Sequence, residues 1–223
     1  MFHRFWIQCL LLPLVLSSAG LVRVMADTYP RAAEIDVLEY TFRVTLTDES
    51  DSIAGLASID FRWLESGQTS VEFDLSSVLS ASGKGMHVDG VWARPGPMDK
   101  ALNSRLLERG AGGAALRFAH VANRLLIHLS EPSTKGQRLY VTIRYSGVPA
   151  SGLEIGETKY GDRCFFSENW PNLARQWLPT LDHPYDKAKS QMIVVAPAHY
   201  QVVSNGLLVE ETDIESGQRL THW

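Results

Sequence analysis

Residues 160–189 contain the side chains best suited to binding, and Glu168 is the first of them. It follows two phenylalanines and precedes Trp170, so its carboxylate is expected to be partly desolvated. Such a carboxylate can hold a cation, for example an amino group, through a charge-assisted hydrogen bond. The local sequence is equally compatible with a solvated loop acid that binds nothing.

A second polar group in the same stretch reads Asp182-His183-Pro184-Tyr185-Asp186. Its carboxylates and imidazole could ligate a metal ion. Acidic residues beside a proline more often accept hydrogen bonds from backbone N–H groups, and that interpretation is favoured here. A lone cysteine in the stretch, Cys164, is interpreted as a small apolar residue and not as a nucleophile.

The motifs of several enzyme classes are missing from the sequence. None of the seven histidines lies four residues from another, so the His-Glu-x-x-His zinc motif is absent. Neither a Gly-x-Ser-x-Gly elbow nor a phosphate-binding loop occurs. We therefore predict no catalytic residue, no metal site and no cofactor in this chain.

Composition excludes one class of partner and indicates a folded protein. The formal net charge is −4 and the basic residues are scattered, whereas nucleic-acid binding needs grouped lysines and arginines. Hydrophobic residues make up 45% of the chain, which is enough for a substantial core.

The N-terminal residues resemble an export signal. A short basic start is followed by an apolar run and by the small-residue cleavage site Val24-Met25-Ala26. We predict that residues 1–26 are a signal peptide and that the mature protein is periplasmic or secreted, with no stable membrane anchor after cleavage. The alternative is an uncleaved anchor, which the brief apolar run and Pro13 disfavour.

Strands are the elements that must position the residues of the central stretch. Apolar and polar residues alternate over residues 36–48 and 53–64, and a short polar turn joins them, which predicts an antiparallel hairpin. Further alternating segments cover residues 69–75, 86–93, 116–118, 125–129, 139–145, 191–196, 200–203, 207–211 and 219–223. Residues 98–109 are a candidate short helix, and the central stretch is expected to be a loop with one helical turn.

About ten strands at this spacing predict an all-β fold. We expect a large antiparallel β-sandwich or a saddle-shaped open barrel with a long structured loop. No internal repeat or linker interrupts the sequence, so residues 27–223 are expected to form one domain. The alternating pattern continues to Trp223, which suggests a longer parent protein.

Several motifs together resemble the N-terminal domain of the zinc aminopeptidases that include aminopeptidase N and leukotriene hydrolase. The sharpest match is Ala-Arg-Gln-Trp-Leu-Pro-Thr-Leu-Asp-His-Pro at residues 174–184, followed by Lys187-Ala188. The family's corresponding signature is Ala-Arg-x-x-Phe-Pro-Cys-Phe-Asp-Glu-Pro with Lys-Ala. Supporting matches are Asp36-x-x-x-Tyr40, Ile53-x-Gly55, residues 139–147, Gly152-Leu153 and the Ser204-Asn205-Gly206 turn.

The resemblance implies roles for four residues of the central stretch. Arg175, Pro179 and Asp182 match the family's loop scaffold. Glu168 stands where the family commonly has a glutamine that helps bind the α-amino group of the substrate, and a carboxylate can also pair with an ammonium. Thr180 and His183 replace the family's cysteine and glutamate.

The family's zinc helix and its Gly-x-Met-Glu-Asn motif lie in a second domain, and neither occurs in this sequence. The resemblance therefore implies a non-catalytic domain of an exported zinc aminopeptidase, which binds the peptide N-terminus and has the catalytic domain as its partner. Zinc is expected only in that catalytic domain. The alternative is a free-standing secreted β-sandwich that binds a ligand without catalysis.

Overall fold

A computed structural model of the chain describes residues 27–79, 81–97 and 113–223. These residues form thirteen strands and two 3-10 turns but no α-helix. The predicted signal peptide and the candidate helix at residues 98–109 lie outside the described residues. Within the described part, no helix is long and apolar enough to cross a membrane.

The strands are as follows: β1 Ile35–Thr45, β2 Ile53–Trp63, β3 Ser70–Asp74, β4 Gly85–Pro95, β5 Ala114–Ala115, β6 Phe118–Val121, β7 Arg124–His128, β8 Arg138–Val148, β9 Leu153–Glu157, β10 Arg163–Ser167, β11 Lys189–Pro197, β12 Glu210–Ile214 and β13 Gln218–His222.

Eight strands form one large mixed sheet in the order β12-β13-β11-β1-β2-β8-β4-β5. The predicted hairpin of β1 and β2 is antiparallel, with Tyr40 opposite Ile59. β1 also pairs with β11, in parallel, with Val44 opposite Val194. This parallel pair makes the sheet mixed, a detail that the alternation within each strand could not reveal.

A three-stranded sheet, β3-β7-β6, covers the apolar face of the large sheet and forms the second layer. Val71 and Phe73 of β3 and Ile127 of β7 are fully buried in the same core as Phe61 of β2. The rings of Phe61 and Phe73 lie 6.0 Å apart in an edge-to-face arrangement. The predicted all-β sandwich is therefore confirmed, and the large sheet does not close into a barrel.

The C-terminal part of the chain differs in detail from the sequence prediction. Residues 200–203 are not a strand but lead into the turn at residues 205–206. The predicted final hairpin exists, with β12 opposite β13, but β12 begins at Glu210 because residues 207–209 remain outside the sheet.

The central stretch also contains more secondary structure than the predicted loop with one helical turn. Its first part forms β10, which pairs with β9 in an antiparallel hairpin. Strand β9 carries only one buried residue, Leu153, so it lacks the apolar alternation by which a strand is recognised. The expected helical turn is the 3-10 turn Ala174–Gln176.

Candidate functional site

Glu168 directly follows β10, so the β9–β10 hairpin determines its position. Its backbone N–H donates to the carbonyl of Gly152 at 3.0 Å, which continues the hairpin contact past the last paired residue. Gly152 has a φ of 79°, and a Cβ there would lie 2.3 Å from the carbonyl oxygen of Leu173. The chain can therefore pass this close to Leu173 only with glycine at that position.

The side chain of Glu168 is exposed, and its Oε1 accepts a hydrogen bond from the backbone N–H of Trp170 at 2.8 Å. The expectation that the neighbouring aromatic rings would partly desolvate it is wrong. Phe166 and Trp170 are themselves 64% and 76% exposed, so they flank the carboxylate without covering it.

Glu168 lines a cavity of about 650 Å³ between the β9–β10 hairpin and the large sheet. Apolar side chains of β11 and of the residue that follows β1 form its floor, and Phe165 and Tyr200 lie at its side. The floor residues are Leu46, Met192, Val194 and Ala196. Gln201, Ser204 and Asn205 also line the cavity, so the Ser-Asn-Gly turn and Glu168 belong to one site.

Specific contacts fix the aromatic side of this cavity. The rings of Phe165 and Tyr200 meet edge to face at 5.5 Å, and the Tyr200 hydroxyl donates to Asp48. Burial and the nearby Asp48 carboxylate raise the pKa of Tyr200 to about 12, so the hydroxyl keeps its proton at neutral pH. The cavity wall is therefore held in place before any ligand arrives.

Arg163 attaches the hairpin to the turn between β1 and β2. Its guanidinium donates to the carbonyl of Ser50 and to Asp51, both at 2.7 Å. These contacts hold β10 against the turn that joins two strands of the large sheet.

The loop after Glu168 is attached to the second layer through Arg175 and Asp182. The backbone N–H and Nε of Arg175 both donate to Asp182 Oδ2 at 3.1 Å, and Nη2 donates to the Asp182 carbonyl at 3.0 Å. Nη1 of the same guanidinium reaches Asp74 Oδ1 at 3.3 Å. Two parts of the loop are thus joined to each other and to the end of β3.

Asp74 is the residue that sequence reasoning missed. It is fully buried, forms ion pairs with Arg124 and Arg175, and accepts the backbone N–H of Asp182 at 3.0 Å. Its backbone also exchanges two hydrogen bonds with Thr180. An acid at the end of an alternating strand ordinarily faces solvent, so nothing in the local sequence marked it as buried.

The segment between Arg175 and Asp182 is inserted into the core. Trp177, Leu178 and Leu181 are each 5% exposed, and Pro179 is buried between them. The Tyr40 hydroxyl accepts the backbone N–H of Leu181 at 3.0 Å, so β1 holds this segment as well. Burial raises the pKa of Tyr40 well above its ordinary value.

The polar residues at 182–186 satisfy backbone groups. His183 Nδ1 accepts the N–H of Tyr185 at 3.2 Å, and Asp186 Oδ2 accepts the N–H of Val37 at 3.3 Å. Burial raises the pKa of Asp186. Across residues 27–79, 81–97 and 113–223, no three His, Cys, Asp or Glu side chains converge in a way that could hold a metal ion.

Comparisons with known proteins identify the family. The sequence profile of the peptidase M1 N-terminal domain matches residues 110–223. No curated protein matches the chain.

The fold is similar to that of solved M1 zinc metallopeptidases from Deinococcus radiodurans. One such structure matches at 19% identity with a TM-score of 0.64, covering 85% of this chain and 38% of the other. A mutant enzyme from the same organism, bound to a Tyr-Ser-Ala substrate, matches at 19% identity with a TM-score of 0.63, covering 85% of this chain and 39% of the other. The chain spans less than half the length of these structures, and its matched region places it in the peptidase M1 N-terminal domain family.

Proposed function

We propose that this chain is the N-terminal, non-catalytic domain of an exported zinc aminopeptidase, whose reaction releases N-terminal amino acids from peptides. Glu168 binds the α-ammonium of the peptide, and the hairpin that carries it forms one wall of the substrate site. The observation that carries this proposal is the position of the Glu168 carboxylate, which is exposed beside a cavity and fixed at the end of β10.

The hydrogen bonding of Glu168 leaves capacity for a cation. An ionised carboxylate can accept about four hydrogen bonds, and the Trp170 N–H occupies Oε1. That N–H fixes the orientation of the carboxylate while the rest of it remains available to an ammonium group. Because Glu168 is exposed in this domain, solvent screens such a pair, which contributes about 0.2–1 kcal/mol.

Arg175, Pro179 and Asp182 act as the scaffold of the site. Their contacts attach the loop to Asp74 and to the core, and these contacts fix the position of the segment that follows Glu168. A misplacement of about 1 Å at a substrate-binding group can cost roughly a hundredfold in rate, which gives such an anchor its value.

The zinc ion and the general base belong to a catalytic domain, the partner that we assign to this chain. Exposed apolar side chains that line the cavity together with Glu168 offer the surface for that domain, since single exposed apolar residues are ordinary but a group of them marks an interface. They are Phe166, Trp170 and Val203, which are 64–76% exposed.

Export follows from the signal-like residues 1–26, and we assign the mature domain to the periplasm or the exterior, without a stable membrane anchor. We assign no nucleic-acid partner, because the net charge is acidic and the basic residues are scattered along the sequence.

Binding of small amino-acid amides to the purified chain tests the role of Glu168. We expect leucine amide, but not N-acetyl-leucine amide, to shift the NMR resonances of the β9–β10 hairpin, because acetylation removes the ammonium charge. Glu168→Ala should weaken this binding about 1.5- to 5-fold, the amount expected for an ion pair with an exposed side chain. Glu154→Ala is the matched control, since Glu154 is an exposed acid of the same hairpin.

Two results would overturn the proposal. Equal binding of the acetylated amide would show that no ammonium is recognised, and unchanged binding by the Glu168→Ala variant would remove the assigned residue. A free-standing binding module would instead be favoured by a stop codon directly after Trp223 in the intact gene, whereas a reading frame that continues into His-Glu-x-x-His would exclude it.

A further inference from the structure

We infer that a second cavity, bounded by β4, β5 and β8, binds small carboxylic acids with an apolar tail, and that Arg94 holds their carboxylate. This second cavity has a volume of about 300 Å³ and shares no lining residue with the cavity beside Glu168. The inference is independent of the role of Glu168 and goes beyond the proposed function.

The walls of the second cavity are mostly apolar. They come from the ends of β2 and β4, from β8, and from the residues that follow β5 and β7: Trp63, Ala93, Pro95, Leu116, Leu129 and Leu139. Trp63 is 1% exposed, so this side of the cavity is part of the core. A volume of about 300 Å³ lies at the lower end of the range for ligand pockets, which favours a small ligand with an apolar body.

Arg94 also lines the second cavity, and part of its guanidinium has no partner. Nε and Nη2 are both buried, and no acceptor among the described residues forms a hydrogen bond with either nitrogen. Buried polar groups in folded proteins are nearly always hydrogen-bonded, and a buried charged group without a partner is costly. The two unpaired donors therefore indicate a ligand that supplies the acceptor.

The ring of Tyr140 fixes the orientation of the Arg94 guanidinium. Cζ of Arg94 lies over this ring, 4.8 Å from its centre. Stacking uses the planar face of a guanidinium and leaves the N–H groups in its plane free to donate. Tyr140 is 1% exposed, so the surrounding side chains hold its ring in place. The donors of Arg94 are thus oriented before a ligand arrives, which lowers the entropic cost of binding.

Arg138, on the neighbouring strand β8, shows what this pair of nitrogens can bind. Its Nε donates to Asp60 Oδ1 at 3.2 Å and its Nη2 donates to Asp60 Oδ2, so the two nitrogens hold both oxygens of one carboxylate. Arg94 has the same two nitrogens without a carboxylate. A carboxylate fits them because its two oxygens lie in one plane and accept the two parallel N–H groups.

The charges around the second cavity favour an anion over a cation. Among the described residues that line it, Arg94 is the only base and Glu131 is the only acid. Glu131 is exposed, so solvent and salt screen its repulsion of a bound anion. The unpaired nitrogens of Arg94 are buried, and their attraction for an anion is screened much less.

Titration of the purified chain with three ligands tests the site: phenylacetate, phenylacetamide and acetate. Phenylacetamide has the shape of phenylacetate without its charge, and acetate has the charge without the ring. We expect phenylacetate to bind at least about tenfold more tightly than either, because a charged hydrogen bond and the burial of a phenyl ring are each worth at least this factor. NMR titration gives the dissociation constants, and shifts of the Leu116 and Leu129 methyl resonances locate the ligand.

Two variants remove different parts of the site. Arg94→Gln removes the charge and should reduce the preference for phenylacetate over phenylacetamide to less than about twofold. Arg117→Gln is its control, since Arg117 is exposed and lies outside the lining. Ala114→Phe places a ring in the cavity and should weaken phenylacetate binding at least about tenfold. Ala115→Phe is its control, because Ala115 is exposed in the same strand and does not line the cavity.

Three results would each overturn the inference. Phenylacetate could fail to bind more tightly than phenylacetamide, the preference for the charged ligand could persist in Arg94→Gln, or binding could be as tight in Ala114→Phe as in Ala115→Phe. If Arg94→Gln fails to fold, the comparison of the two alanine variants decides. Glu168→Ala should bind phenylacetate as the native chain does, so the outcome does not depend on the proposed function.

Discussion

The carboxylate of Asp74 accepts the backbone N–H of Asp182 at 3.0 Å, across 108 positions of sequence. Asp74 ends a strand of the small sheet, and Asp182 belongs to the loop that follows Glu168. Because Asp74 is fully buried and also pairs with Arg175, this contact joins the candidate site to the core of the sandwich.

Asp74→Ala should strongly destabilise the domain. It would leave Arg124 and Arg175 without their shared buried partner, and removing one member of a buried ion pair costs about 3–5 kcal/mol. The free energy of unfolding from urea titration measures this loss. Asp36→Ala is the control, since Asp36 and Arg62 form an exposed pair worth about 0–1 kcal/mol. Equal losses in both variants would contradict the anchoring role of Asp74.

Gly152→Ala should lower the free energy of unfolding by about 3 kcal/mol. The added Cβ would lie 2.3 Å from the carbonyl oxygen of Leu173, at a left-handed backbone position. Gly156→Ala, in the strand β9 that directly follows Gly152, meets no atom within 4 Å and should be neutral or slightly stabilising. Thermal unfolding of the two variants tests this contrast. If Gly152→Ala left the stability unchanged, the close approach of the backbone at residue 152 to Leu173 would not be needed for folding.

Tyr40→Phe should cost about 1–3 kcal/mol, because the buried N–H of Leu181 would lose its acceptor. Urea unfolding measures the change. Tyr160→Phe is the matched substitution at a residue that is 78% exposed, and it should change stability by less than about 0.5 kcal/mol. If the Tyr40→Phe variant were as stable as the native protein, the N–H of Leu181 would have found another hydrogen-bond acceptor.

Asp186 should make the domain less stable as pH rises through the acidic range. Burial raises the folded-state pKa of Asp186 above its ordinary value of 3.8, so the folded protein binds this proton more tightly than the unfolded chain. The contribution is complete below the unfolded pKa and is lost as pH rises through the folded pKa.

Asp186→Asn removes this titration while keeping an oxygen for the N–H of Val37. The variant should therefore gain stability relative to the native protein between about pH 3 and pH 7. Urea unfolding at several pH values measures the difference. A constant difference across this range would show that Asp186 titrates as it does in the unfolded chain.

The purified chain should contain no zinc and should not hydrolyse a chromogenic amino-acid amide. Its described residues offer no converging ligand set that would hold zinc and activate a water molecule. Metal analysis together with an activity assay checks this. Stoichiometric zinc with turnover would mean that the residues around His183 form a metal site and that the scaffold interpretation of the loop is wrong.

Local patterns in the sequence predicted much of the fold. The alternation around Tyr40 and Phe61 identified β1 and β2 because one face of each strand lies against the core. Strand β9 escaped prediction, since a short hairpin with a single buried residue has no such alternation. The motif at residues 174–184 also identified the family without any structure.

Some features of the candidate site could likewise be predicted from the sequence, and others could not. Glu168 was singled out from its neighbouring residues, whereas Arg175, Pro179 and Asp182 were singled out from the resemblance to the family's loop signature. The exposure of Glu168 was mispredicted, because the order of residues along the chain does not tell which way the neighbouring rings turn. The contact between Asp182 and Asp74 could not be predicted, since it joins residues 108 positions apart.

The sequence alone thus determined the strand periodicity, the family and the position of the central loop, all of which depend on neighbouring residues. Only the tertiary structure decided that β11 lies parallel to β1, that Asp74 is buried between two arginines, and that a cavity opens beside Glu168. These features arise from the packing of segments far apart in the chain. The strength of the strand pairing and of the buried ion pairs depends on register and burial, and no local sequence pattern encodes either.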